Sequence, residues 1–85
     1  MAKIDMFSKA YCPYCVKAKL LLEQLGQQVI EHKIDESDAL FDDLRTRLPH
    51  ARTVPQIFIN DTPIGGCDEL YALHEKGELE ALLQA

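Results

Sequence analysis

The strongest constraint on the fold is a helical stretch, Pro13 to Leu25, with a strand-like segment on each side of it. Two strands joined through a helix must pair in parallel, because a parallel pair needs a crossover of a dozen or more residues. Pro13 suits the first helical position, where a missing N–H costs nothing. Gly26 suits the stop. The preceding segment, Ala2 to Ser8, puts Ile4, Met6 and Ser8 on one side and Lys3, Asp5 and Phe7 on the other. That imperfect alternation suits a strand covered on both faces. Gln28 to Ile34 reads as the second strand. Within the helix Cys15, Ala18, Leu22 and Leu25 form a core-facing stripe. Cys12 lies at the open N-terminal end of that stripe, so an exposed Cys12 and a buried Cys15 are expected.

The second half reads differently. Ser37 can cap a helix with apolar positions Leu40, Phe41, Leu44 and Leu48, ended by Pro49. Gln56 to Asn60 is a strand, and Asn60-Asp61 is a turn signal, so the next strand returns antiparallel. Pro63 suits a sheet edge. After Gly65-Gly66 a helix opens at Asp68-Glu69 and runs to about Lys76, and Glu78 to Leu83 forms a last short one. Asp68 is a candidate N-cap. The order β-α-β-α-β-β-α, with a short C-terminal helix, describes an α/β fold with a four-stranded mixed sheet flanked by helices. Residues 1–85 read as one domain.

Charge and composition exclude several functions. Fourteen acids against nine bases give a net charge of −5, whereas a nucleic-acid binder needs a basic footprint. The longest apolar run, Leu70-Tyr71-Ala72-Leu73, is far short of the ~20 residues of a membrane span. Met1-Ala2-Lys3 leads straight into a strand with no apolar leader. A cytoplasmic protein with neither nucleic-acid nor membrane partners is therefore expected. Three cysteines are an odd number, and in a reducing compartment a close pair is metal-binding or catalytic more often than structural.

Cys12-Pro13-Tyr14-Cys15 carries the chemistry. Thiols at i and i+3 on a helix N-terminus are close enough to form a disulfide. The helix end carries roughly half a positive charge, which favours a thiolate at Cys12, and Lys9 adds a cation nearby. At such sites thiol pKa values fall to ~3.5–7.5. A fall from ~8.5 to ~5 raises the thiolate fraction at pH 7 about 30-fold and lowers nucleophilicity about 40-fold. The gain is in departure, so Cys12 is expected to load and unload easily. Half a zinc site is the competing metal reading. Zinc wants four ligands, and the chain offers one CxxC, Cys67 and three scattered histidines, so no metal site is expected.

Cys12-Pro13-Tyr14-Cys15, then Thr53-Val54-Pro55, then Gly65-Gly66-Cys67-Asp68 resemble a glutaredoxin of the dithiol, small bacterial-like type, from Ile4 to the C-terminal helix. The resemblance implies a thioredoxin fold and a glutathione-dependent thiol–disulfide oxidoreductase. It implies Cys12 as nucleophile, Cys15 as resolving thiol, and a cis Val54–Pro55 bond, which is a ~5–6% event on base rates. It implies glutathione as co-substrate, with no tightly bound cofactor, and a monomer acting on disulfide-containing or glutathionylated proteins. The implied glutathione site comprises Lys9, Tyr14, Arg52, Thr53, Val54, Pro55, Gly66, Cys67 and Asp68. Cys67 is expected to serve through its backbone. His32, His50 and His74 are expected at the surface, and the acids Asp35, Glu36, Asp38, Asp42 and Asp43 on a solvated face. Two alternatives stay open. One is an iron–sulfur cluster carrier using Cys12 and glutathione, which Pro13 disfavours because such relatives carry Gly there. The other is a redoxin reduced by thioredoxin reductase, although Gly65-Gly66-Cys67-Asp68 stands where a Trp-Ser-Gly-Phe-Arg-Pro-like segment is usual.

Overall fold

The computed structural model describes residues 2–84. The chain runs β1 (Ile4–Ser8), α1 (Pro13–Gln24), β2 (Val29–Lys33), α2 (Asp38–Arg47), β3 (Gln56–Ile59), β4 (Thr62–Gly65), α3 (Cys67–Glu75) and α4 (Leu79–Gln84). The sheet order is β2-β1-β3-β4. β1 pairs parallel with β2 and antiparallel with β3, and β3 pairs antiparallel with β4. Asn60 and Asp61 both take positive φ, the backbone that a tight hairpin turn demands.

Central β1 is buried along its whole length. On one face Ile4 and Met6 join Ile57 and Ile59 beneath α1, α3 and α4, which contribute Ala18, Leu22, Leu70, Leu79 and others. On the opposite face Phe7 and Phe58 pack with Leu44 of α2. The two rings meet edge to face, 5.7 Å between centroids. The α1 face is therefore the larger core, and it anchors the helix that carries the cysteines.

Several expectations need correction. Leu21, outside the expected stripe, is buried, and Leu25 is only partly so. The stripe drifts because 3.6 residues per turn does not repeat over two turns. Of the apolar positions on α2 only Leu44 is buried, while Phe41 is 42% exposed. Helix α3 begins at Cys67 with Gly66 as N-cap, so Asp68 is not the cap. His50 is exposed as expected, whereas His32 and His74 are half-buried; His32 is held against β1. It stacks on Phe7 at 4.8 Å, and its Nε2 lies 2.8 Å from Oδ1 of buried Asp5. Lys3 Nζ approaches the other Asp5 oxygen at 3.6 Å. Of the carboxylate that β1 carries into the core, Oδ1 thus meets the His32 ring nitrogen, whereas Oδ2 is buried without a hydrogen-bond partner and has only the Lys3 ammonium nearby. Glu31 on β2 ties the sheet to α1. It accepts from Ser8 Oγ at 2.7 Å and from Lys19 Nζ at 3.2 Å. The Ser8 hydroxyl, then Lys19, holds its carboxyl below the usual range.

Candidate active site

The site sits where three chain segments meet: the start of α1, the loop before β3, and the start of α3. Cys12 is the N-cap of α1 in an extended conformation, and Pro13 follows at the first helical position. Capping is usually the task of Ser, Thr, Asp or Asn oxygens. Here sulfur takes it, as the Cys15 N–H donates to Cys12 Sγ at 3.1 Å. No acidic residue stands in the first turn, so the positive end of the helix is left to the sulfur. Cys12 and Cys15 are joined as a disulfide with Cα atoms 5.2 Å apart.

The cysteine asymmetry is present but milder than expected. Cys15 is 2% exposed within the core, and Cys12 is partly buried against it rather than fully exposed. The burial comes from the loop before β3. The Val54–Pro55 bond is cis, and the Val54 carbonyl oxygen lies 3.8 Å from Cys12 Sγ. Pro55 is buried, and Val54 is half-buried.

The third segment closes the groove. Gly65 has φ +115°, and a Cβ there would come within 2.8 Å of the Glu69 side chain. A Cβ on Gly66 would lie 3.2 Å from the Pro55 carbonyl oxygen. Both glycines therefore let two backbones and one carboxylate crowd together. That carboxylate, Glu69, accepts the Gly66 N–H at 2.7 Å. Cys67 Sγ points into the core, where burial pushes its thiol up.

The residues singled out in the sequence fall into two adjoining depressions. Tyr14, Thr53–Val54–Pro55 and Gly66–Cys67–Asp68 line a groove of about 290 Å³. Lys9 and Arg52 lie outside it, on a second cavity of about 310 Å³ that shares Thr53 and Val54. Tyr14 is 61% exposed over the first groove. Glu69 also lines that groove, and sequence reasoning did not select it. Its signal was available: an acid three residues after an N-cap is a capping position. Among the described residues no group of three or more His, Cys, Asp or Glu side chains could hold a metal ion, and no helix is long and apolar enough to cross a membrane.

A cysteine pair at a helix N-terminus, beside the Val54 carbonyl and an open groove, can exchange disulfides with an incoming thiol. Comparison with known proteins agrees. The family model for glutaredoxin matches residues 4–64. A probable glutaredoxin of Synechocystis sp. is 48% identical over 82 residues, 96% of this chain and 75% of that one. Glutaredoxin 3 of Escherichia coli is 44% identical over 84 residues, 99% of this chain and all of its own. The buckwheat glutaredoxin–glutathione complex superposes with a TM-score of 0.85 at 36% identity, covering 98% of this chain and 77% of that one. With its thioredoxin fold and Cys12–Cys15 pair, the chain belongs to the glutaredoxin family of glutathione-dependent thiol–disulfide oxidoreductases.

Proposed function

We propose that Cys12 is the nucleophile and Cys15 the resolving thiol, and that glutathione lies in the groove lined by Tyr14, Val54, Pro55 and Asp68, with only its glycine carboxylate reaching the Lys9 and Arg52 rim of the neighbouring cavity. The observation that carries this is the sulfur of Cys12, capped by a helix N–H and 3.8 Å from the Val54 carbonyl. The backbone of Val54 is available to pair with an extended peptide, as in strand addition. Glutathione's cysteine then lies beside Cys12. Its γ-glutamyl carboxylate meets the first-turn N–H groups of α3, which have no intrahelical acceptor. Its amine faces Asp68 and Glu69. Its glycine carboxylate turns towards Lys9 and Arg52, and Tyr14 flanks the tripeptide.

In the one-cysteine route the Cys12 thiolate attacks the glutathione sulfur of a mixed disulfide. The protein thiol leaves and takes a proton. A second glutathione thiolate attacks the Cys12 adduct, releasing oxidised glutathione and reduced Cys12. In the two-cysteine route Cys12 attacks a protein disulfide and Cys15 then attacks Cys12. This leaves the Cys12–Cys15 disulfide and moves two electrons to the substrate, and two glutathiones restore the dithiol. The substrates are disulfide-containing or glutathionylated proteins, met in the cytoplasm by a monomer. Glutathione bound to the buckwheat relative supports the reading.

The test is glutathione-coupled reduction of a mixed disulfide beside a thioredoxin-reductase-coupled assay of the same protein. Rapid turnover in the first and little in the second is expected. The reverse pattern would contradict the assignment of glutathione as reductant.

A further inference from the structure

We propose that the cavity between α2 and the loop at Val54 receives a bulky apolar side chain two residues beyond the attacked cysteine of a disulfide-bonded protein substrate. The proposal rests on the placement of Cys12 and glutathione given above and extends it to the partner.

Four observations carry it. First, the cavity of about 310 Å³ is continuous with the catalytic groove, because Thr53 and Val54 line both. Second, its wall is apolar: Ile34, Phe41, Leu44 and Ala51. Phe41 stands on the apolar stripe of α2, three residues before buried Leu44, yet it is 42% exposed. Its size, near the lower end of the ~300–1,000 Å³ typical of ligand pockets, suits one large side chain. Third, glutathione cannot fill it. In an extended chain side chains alternate and rise about 3.3 Å per residue, so the cysteine and the second residue after it face the same way, about 6.6 Å apart. Glutathione ends at the residue between them, a glycine. Fourth, the rim is basic although the chain carries −5 overall. Lys9 and Arg52 stand there, and among the described residues neither enters an ion pair. The acid on the same wall, Asp35, accepts the Ala10 N–H at 3.1 Å. The occupant is therefore an extended segment reading cysteine, any residue, large apolar residue, with an acidic neighbour.

Reaction with such a segment needs no new reagent. Cys12 breaks the substrate disulfide and bonds to the sulfur of the seated cysteine, whose partner thiol leaves and takes a proton. Cys15 then displaces the seated cysteine, and both electrons come from the dithiol.

The experiment uses the full chain, reduced, with symmetrical disulfides of three capped pentapeptides: Ala-Ala-Cys-Ala-Leu, Ala-Ala-Cys-Leu-Ala and Ala-Ala-Cys-Ala-Ala. The second-order rate of protein oxidation is measured for each. The first peptide is expected to react about tenfold faster than the third, a difference of ~1.4 kcal/mol, and the second no faster than the third. Phe41→Ser should reduce the preference to about twofold or less while leaving turnover of the mixed disulfide of glutathione and 2-mercaptoethanol unchanged. Should Phe41→Ser fold poorly, Ala51→Leu fills the same cavity and is expected to have the same effect. Equal rates for all three peptides, or a preference that survives both substitutions, would overturn the proposal. So would a self-association of the wild type that Phe41→Ser abolishes, since the cavity would then hold a second copy. Loss of the glutathione turnover in the wild type would instead strike the function proposed above.

Discussion

Cys67 and Gly66 stand next to each other but matter for opposite reasons. Cys67 contributes a buried side chain whose thiol is pushed up by burial, so it is expected to react little at neutral pH. Cys67→Ser is expected to keep mixed-disulfide turnover within about twofold, at a stability cost of ~1–3 kcal/mol for the buried hydroxyl. A large fall in turnover with the fold intact would make Cys67 a third redox participant. Gly66 contributes the absence of a side chain. A methyl group there meets the Pro55 carbonyl oxygen at 3.2 Å, a backbone atom that cannot swing away as a side chain does. Gly66→Ala should therefore displace the loop at Val54 and raise the KM for the glutathione mixed disulfide, and steady-state kinetics over a glutathione series would show it. The resemblance located this cluster, but not its inner geometry. Glu69 was missed because the cap was expected at Asp68, whereas Gly66 is the N-cap and Glu69 its third helical residue, and Cys12 is less exposed than expected because the Val54 loop covers it.

At the scale of elements, α3 is expected to act through backbone donors more than through charge. A partly exposed ion pair contributes ~0–1 kcal/mol, whereas hydrogen bonds to charged groups reach ~1.5–3 kcal/mol. Asp68→Asn should thus weaken turnover efficiency for the glutathione mixed disulfide by less than about tenfold. A cysteinylglycine mixed disulfide, which lacks the γ-glutamyl group, should lose more with the wild type. If wild type treats the two disulfides alike, the start of α3 is not the recognition element. The junction of β1, β2 and α1 makes a separate prediction. Glu31 is held below its ordinary pKa by the Ser8 hydroxyl and then Lys19. A carboxyl depressed in the folded state stabilises above its unfolded value of ~4.3 and loses that contribution as pH falls through the folded value. Glu31→Gln should lower Tm near neutral pH and differ little from wild type once both are at ~pH 2. A gap that stays constant across that range would remove the pH linkage from this contact.

The whole molecule was legible to the degree that local signals dictated it. A helix between two strands forced the parallel pair, and Asn60-Asp61 forced the hairpin, but that β1 and β3 join the two halves as neighbours did not follow from period or turn chemistry. What depended on tertiary contact was not legible. The pairing of Asp5 with His32 needs two strands in register, and the exposure of Phe41 depends on what α2 leaves uncovered. The cis bond before Pro55 came by resemblance rather than from residue chemistry, since X–Pro bonds are mostly trans. The nine residues of the implied glutathione site, by contrast, do border one continuous pair of depressions. The central claim is that the fold gives two neighbouring thiols unequal tasks, and parallel assays of Cys12→Ser and Cys15→Ser on a glutathione mixed disulfide and on a protein disulfide test it most directly. Cys12→Ser should abolish both reactions, and Cys15→Ser should keep the first and lose the second; equal loss of mixed-disulfide turnover in the two variants would contradict the account.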